Sequence, residues 1–353
     1  VVSQIVVASF RLGETDGVSI EAAKWIDALQ LSGHDVTTVA GEGHADVLIP
    51  GLAMHAKHPA CLEEVTSAFE QCDIAIIENI ASLPLNVAAR DVLYQVLDGR
   101  ETIFHHHDLP WQQSQYAHLD GPRDQARWHH VTINELSRRE LAQRGIAATT
   151  IMNSFDCDPP CGGRERTREA LSVGNQQLLL MPTRAIARKN VEGALALASS
   201  LDAVLWLLGP SEDGYDAQLN QILSNTNVEV RRGFVNAESV HDAYAACDLV
   251  VVPSTWEGFG NPVLESVTHR RPLAVFPYPV LHEIESFGFE FFHLDEPQRI
   301  AQYLHSPDEG LLERNLLIAR EHFNVTNLPS RLAQLINSDE SDVRESVATT
   351  RLT

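Results

Sequence analysis

Short apolar runs rich in β-branched residues recur along this chain, each followed by a stretch with helical spacing, and the whole pattern restarts once past the middle. In the first half the runs are SQIVVASF, DVTTVAG, CDIAIIEN, TIFHHHD, HHVTINE and ATTIMNS. They end in polar or turn residues, as strands buried on both faces of a parallel sheet do. Ser19 to Leu31, between the first two runs, has apolar residues at helical spacing, with Ser19 placed to cap it. Strand followed by helix, repeated, predicts a doubly wound α/β domain. The second series is QLLLMPT, AVLWLLG, VEVRRGFV, CDLVVVPS, RPLAVFP and FEFFHLD, which predicts a second domain of the same kind. Between the two lies DPPCGGRERTRE, rich in Pro, Gly and charge, which reads as a linker leading into a helix. The expected organisation is an N-terminal Rossmann-like domain over 1–156, a linker over 157–170 and a C-terminal Rossmann-like domain over 171–337. The last domain takes in a helical stretch from Leu311 to Ile336, and a polar, flexible tail over 338–353 follows. Ligands of open α/β sheets bind beyond the carboxyl ends of the strands, so the chemistry is expected there, in a cleft that two such domains share.

Composition narrows the function. A length of 353 residues suits two cores better than one. No apolar run approaches the roughly 20 residues of a membrane helix. The opening VVSQIVVASF reads as a first strand and not as a secretory leader, which with five scattered cysteines predicts a cytoplasmic protein. Cys157 and Cys161 are separated by a stiff DPP and read as two ordinary linker thiols. The formal charge of −22 disfavours nucleic acid and anionic membrane surfaces as main partners. Lysine occurs only at Lys24, Lys57 and Lys189, which makes Lys189 conspicuous.

Two segments carry the chemistry. In CDLVVVPSTWEGFGNPVLESV a buried strand leads into a loop with Glu257, Gly258, Phe259 and Gly260, and Asn261 and Pro262 open a helix. Asn261 can cap and Pro262 suits the first turn. Free N–H groups at such a helix start favour an anion, and glycines let a ligand approach the backbone. Glu257 before the helix and Glu265 one turn inside it can accept hydrogen bonds from hydroxyls on either side; alternatively, Glu265 only complements the helix dipole. In QLLLMPTRAIARKNVEGALALA a strand ends at Thr183, a loop bears Arg184, Arg188 and Lys189, and Asn190 can cap the next helix. Cations there make a second anion site. His105, His106 and His107 are consecutive on a strand, so they cannot all converge on one ion. His105 and His107 share a face, with Asp108 the only evident further ligand, and no metal site is expected.

PSTWEGFGNPVLES resembles the paired-glutamate signature of retaining GT-B glycosyltransferases of family 4, the glycosyl transferases group 1, and TRAIARKN resembles that group's diphosphate-binding segment. FRLGETDGVSIEAAKWIDALQLSGHDV is similar to the family's amino-terminal glycine loop and first helix, HHHD to its His-Asp strand end, and IMNSFD to the segment before its interdomain linker. The match runs in order over nearly the whole chain. It implies a GT-B fold of two Rossmann-like domains and transfer of a hexosyl group, mannose or glucose, with retention of configuration. The donor would be a GDP-, UDP- or ADP-hexose and the acceptor a hydroxyl compound, small and soluble; no tightly bound cofactor or metal is implied. By the resemblance, Arg184 and Lys189 hold the donor diphosphate, helped by the backbone of Gly258, Phe259 and Gly260. Glu265 takes the ribose, Glu257 the hexose hydroxyls and His107 the sugar from the other domain. Phe234 and Val235 lie where the base packs, and Gly13 and Gly17 shape the loop near phosphate and acceptor. The glycine loop reads GETDGVS where the family has a tight Gly-Gly pair, Ser154 stands where it has Gly, and SVTHRRP replaces its usual small residue and glycine turn after Glu265. A non-catalytic nucleotide-sugar sensor, or another GT-B enzyme such as an epimerase or phosphorylase, would use the same scaffold.

Overall fold

The computed structural model describes residues 2–212, 214–234 and 239–337. The chain forms two compact units. The first runs to Ser154 and resumes at Val325; the second is Phe155–Asn324. The expected flexible tail over 338–353 lies outside the described residues.

The first unit is built on strands β1 (Gln4–Leu12), β2 (Asp35–Gly43), β3 (Val47–Leu48), β4 (Ile74–Glu78), β5 (Thr102–His106), β6 (Trp128–Thr132) and β7 (Ala148–Thr150). They pair in parallel in the order β3-β2-β1-β4-β5-β6-β7. Alternate residues of β1 serve the two faces, as a pleated strand requires. Val6, Ala8 and Phe10 pack with Val65, Ala89, Leu93 and Tyr94 from helices on one side. Ile5 and Val7 pack with Trp25, Ala28 and Leu29 of the helix Gly17–Leu31 on the other. Each such aliphatic side chain contributes about 1.5–3 kcal/mol when removed from water.

The second unit contains β8 (Leu178–Met181), β9 (Val204–Leu207), β10 (Val230–Arg232), β11 (Leu249–Val252), β12 (Leu273–Val275) and β13 (Phe292–His293). They are again parallel, in the order β10-β9-β8-β11-β12-β13. Leu179, Met181, Leu205, Leu207, Leu249 and Val251 face the helix Val191–Ser200 and Ile300. Both sheets follow the doubly wound scheme, and in both the strand order reverses beside the first strand of the unit. In the second unit this switch point lies between β8 and β11, so the loops leaving these two strands diverge to opposite faces and leave a crevice.

Three expectations about organisation need correction. Residues 157–170 are not a plain linker, because Arg164–Leu171 is a helix. Arg164 begins it and donates to the carbonyls of Ala245, Ala246 and Cys247 at 2.9–3.0 Å, closing the end of the helix Val240–Ala246. Cations suit a helix carboxyl end, so a charge-rich run that reads as solvated serves packing. The closing stretch is broken into the helices Glu309–His322 and Leu328–Asn337. The latter belongs to the first unit, where Leu328 and Leu332 join Ile5, Val7, Trp25 and Leu29. Finally, Asp16 and not Ser19 caps the helix Gly17–Leu31, accepting from the N–H groups of Val18 and Ser19, both at 3.2 Å. Ser19 is buried and donates to the same carboxylate.

Leu332 is 2% exposed. Leu332→Ala should therefore cost the first unit about 2–5 kcal/mol, seen as an earlier midpoint in urea. Leu31→Ala, at an exposed position of the same unit, should stay within about 0.5 kcal/mol.

Candidate active site

At the switch point of the second unit, the loop after β8 and the loop after β11 are stitched together through their backbones. The N–H of Thr255 donates to the Arg188 carbonyl at 2.9 Å, and the Asn190 amide donates to the Pro253 carbonyl at 3.2 Å. Asn190 also caps the helix Val191–Ser200, as its sequence position suggests, with its side-chain oxygen accepting from Gly193 at 3.1 Å. Two loops distant in sequence thus hold their side chains in fixed register.

Those side chains form a buried ion cluster. One carboxylate oxygen of Glu257 accepts from the Lys189 ammonium, and the other accepts from Arg188 at 3.0 Å. Arg188 also donates to the Trp256 carbonyl at 2.8 Å. Burial alone would push the Glu257 carboxyl up, but Lys189 and Arg188 outweigh it and hold the carboxyl below its ordinary value. Burial pushes the Lys189 ammonium down, against the pull of Glu257. Two cations facing one carboxylate leave an excess of positive charge at the place where two strand ends diverge. Arg184 is half-exposed and paired with Glu212 rather than with Glu257, although its charge is felt at Lys189. The cation joined to Lys189 through Glu257 is therefore Arg188.

The helix Asn261–Thr268 starts just beyond Glu257. Its N-cap is Gly260, not Asn261, and Pro262 lies in its first turn. Gly260 has φ +93°, in the left-handed region that favours glycine. A Cβ at this position would lie 2.1 Å from the Tyr278 hydroxyl, which donates to the Phe259 carbonyl at 2.9 Å. The turn is fixed by a side chain that reaches it from 19 residues away. The cap offers no side-chain hydrogen bond to the helix start, and its carbonyl accepts from the Val263 N–H at 2.8 Å. Phe259 is itself buried, so its part here is structural packing plus its backbone.

Glu265, one turn into the helix, accepts from the Tyr244 hydroxyl at 2.6 Å. Burial and the adjacent carboxylate raise the Tyr244 phenol well above its ordinary value, so it stays protonated and keeps donating. His269 stacks on Tyr244 with ring centres 4.4 Å apart and lies against the Glu265 carbonyl. The SVTHRRP segment thus builds a support for Glu265. Phe234 is exposed at the end of β10, and Val235 lies outside the described residues.

In the first unit, β4 and β5 bring a second cluster together at their carboxyl ends. Glu78 Oε2 lies 2.9 Å from His105 Nδ1 and 2.8 Å from His107 Nε2. His106 points to the other face, toward Ser82 and His130. Glu78 is the third group beside His105 and His107 that the sequence did not reveal, and the three have potential ligand atoms within 4.8 Å of one another. Such an oxygen and imidazole donor set would also suit a divalent cation. Gly13, with φ +71°, follows β1, and a Cβ there would lie 2.7 Å from His44 Cβ. Gly17 opens the helix capped by Asp16.

Residues 163–308, inside the second unit, match the family model of the glycosyl transferases group 1. The mannosylglucosylglycerate synthase of Petrotoga mobilis is 26% identical, over 82% of this chain and 86% of its own. The enzyme of the same name from Thermotoga maritima is 24% identical, over 94% and 99%. Among solved structures, Anabaena Alr3699/HepE in complex with UDP-glucose superposes with a TM-score of 0.73 at 17% identity, over 95% of this chain and all of that one. Over residues 163–308 the chain is thus similar to the group 1 glycosyltransferases.

The fold of the chain is GT-B. Within its second unit the structure brings together Lys189, Glu257 and Arg188. It places Glu265 and Gly260 on the same short helix start and sets Arg184 in a separate ion pair. Sequence reasoning named Arg188 only as part of the loop and missed Tyr244, Tyr278, Glu212 and Glu78. Glu78 alone had a signal, as the one charged residue closing the apolar run IAII.

Two measurements test this geometry. Gly260→Ala should lower thermal stability by about 1–3 kcal/mol, and adding Tyr278→Phe should recover part of the loss by removing the clashing hydroxyl. Glu257 is held below its ordinary value of 4.5, so its stabilisation is present above that value and disappears as pH falls through the depressed one. In urea titrations the wild type should lose stability more steeply below pH 4.5 than Glu257→Gln does.

Proposed function

We propose that this glycosyltransferase transfers a mannosyl group, with retention of configuration, from a nucleoside diphosphate sugar to a small hydroxyl acceptor of the glucosylglycerate type. The carrying observation is the cluster of Lys189 and Arg188 on Glu257, beside a helix start whose cap has no side chain. A diphosphate needs positive charge as it departs, and both the cations and the helix N–H groups lie where that charge would develop. Lys189 and Arg188, with Arg184 released from Glu212, neutralise the leaving group. This is work that a divalent ion does in other transferases, so catalysis is expected to need no metal.

Glu257 then has a double part. It keeps the buried Lys189 and the part-buried Arg188 in place when no donor is bound, and it accepts from hydroxyls of the transferred hexose when the diphosphate draws the cations away. Glu265, held by Tyr244, accepts from the ribose. His107, and the loop around Gly13 and Gly17, serve the sugar and acceptor from the first unit. Mannose and the glucosylglycerate class are supported by the names of the two bacterial relatives, and a nucleoside diphosphate donor by the UDP-glucose bound in the Anabaena neighbour. A cytoplasmic setting, where such donors are made, fits the scattered free cysteines.

Thermal-shift screening against GDP-mannose, UDP-glucose and ADP-glucose should single out one donor, since a ligand of the folded state raises its apparent stability. With that donor and glucosylglycerate, Lys189→Met should weaken nucleoside diphosphate binding and reduce kcat by about 100-fold or more. Glu257→Gln should reduce kcat while retaining nucleotide affinity. Activity should persist in EDTA. Wild-type rates in both variants would defeat the site; binding without transfer or release of nucleoside diphosphate would defeat the reaction.

A further inference from the structure

The second cluster, in the first unit, has a division of labour among its three members that the assignment of His107 alone leaves unexplained. Glu78 closes β4 and is fully buried; His105 and His107, two residues apart at the end of β5, turn to the same oxygen of its carboxylate. His105 is also fully buried and stacks on Trp25 with ring centres 4.0 Å apart. Its other nitrogen, Nε2, is buried without a hydrogen-bond partner. A bare buried imidazole nitrogen costs least as a lone pair, and burial does push His105 below its ordinary value, so His105 is the neutral member and donates through Nδ1. His107 differs. It keeps a 5% exposure, where the others have none. Its Nε2 is committed to Glu78, and its Nδ1 makes no hydrogen bond among the described residues.

We infer that Glu78 is a positioning residue for His107: by accepting Nε2–H it fixes the ring and leaves Nδ1 as the atom offered to the ligand. This rests on the reading of His107 as the group that contacts the transferred sugar. The backbone supports the same orientation, because the Asn79 side chain accepts from the N–H groups of both His107 and Asp108 at 3.2 Å. Charge supports it too. Burial opposes a charge on His107, but Glu78 outweighs it and raises the imidazole above its ordinary value, with smaller help from Glu21 and Asp108. His105 is the remaining titratable neighbour, and Lys24 pairs with Glu21 at 2.8 Å. Glu78 in turn is held down at about 2, although burial alone would raise it, because both imidazoles donate to it. A neutral His107 held through Nε2–H offers Nδ1 to a hydroxyl as an acceptor, whereas the charged ring that Glu78 favours offers it as a donor.

The test combines turnover with a spectrum that does not need turnover. Glu78→Gln should lower kcat by about 10–100-fold, the scale of losing a buried orienting partner. The affinities for UDP and GDP, whose proposed site lies in the second unit, should not change, and Glu78→Asp should recover part of the rate. In ¹⁵N imidazole spectra of the wild type, His107 should carry protons on both nitrogens near neutral pH, and Glu78→Gln should shift its titration to lower pH. A wild-type rate in Glu78→Gln, or an equal loss of nucleotide affinity, overturns the inference. So does a wild-type His107 with a bare Nε2, which decides the matter even if the variant does not fold. A stoichiometric divalent metal in the purified protein, whose removal reproduces the Glu78→Gln rate, overturns it in favour of an ion at this cluster. If the wild type turns over no donor, the functional reading fails, and the spectra still decide whether Glu78 orients His107.

Discussion

A carboxylate deprived of water must be matched by cations placed to within an ångström, and in the second unit that demand falls on Glu257. Neither loop at the switch point can move without unpairing a buried charge, an outcome that costs several kcal/mol. The arrangement explains why the loops after β8 and β11 are tied through the carbonyls of Arg188 and Pro253, and why the turn behind them is locked by Tyr278. The ion cluster does not make the protein more stable than an apolar substitute would. It makes one conformation of two loops obligatory, and under the proposed function it stores cations for an anionic ligand to take over.

Much of this was legible because strand ends announce themselves. The runs QLLLMPT and CDLVVVPS became β8 and β11, and doubly wound topology then requires the loops that follow them to flank one crevice. Lys189 and Glu257 could thus be placed together from sequence before any distance was known. The capping role of Asn190 was also readable, since its side chain is short and next to the helix it serves.

What was hidden depended on contacts between residues far apart in the chain. Nothing in DAYAA says that Tyr244 will reach Glu265, and nothing in PYPV says that Tyr278 will hold Phe259. The cap residues were missed for a more local reason. In both cases the helix starts earlier than the expected cap: Asn261 is already the first helical residue after Gly260, and Ser19 lies two residues inside the helix that Asp16 caps.

The path of the chain has one more consequence. Phe155 and Asn324 bridge, and the Phe155 N–H donates to the Phe323 carbonyl at 2.7 Å, so the second unit begins and ends at one point. The residues that match the group 1 glycosyltransferases, 163–308, all lie between these ends. The second unit is an insertion within the first unit's sequence, entered and left through a single seam. Recombination at that seam exchanges one module while leaving both flanks of the host's hydrophobic core in the parent gene, a route by which such a scaffold diversifies one half of its chemistry independently of the other.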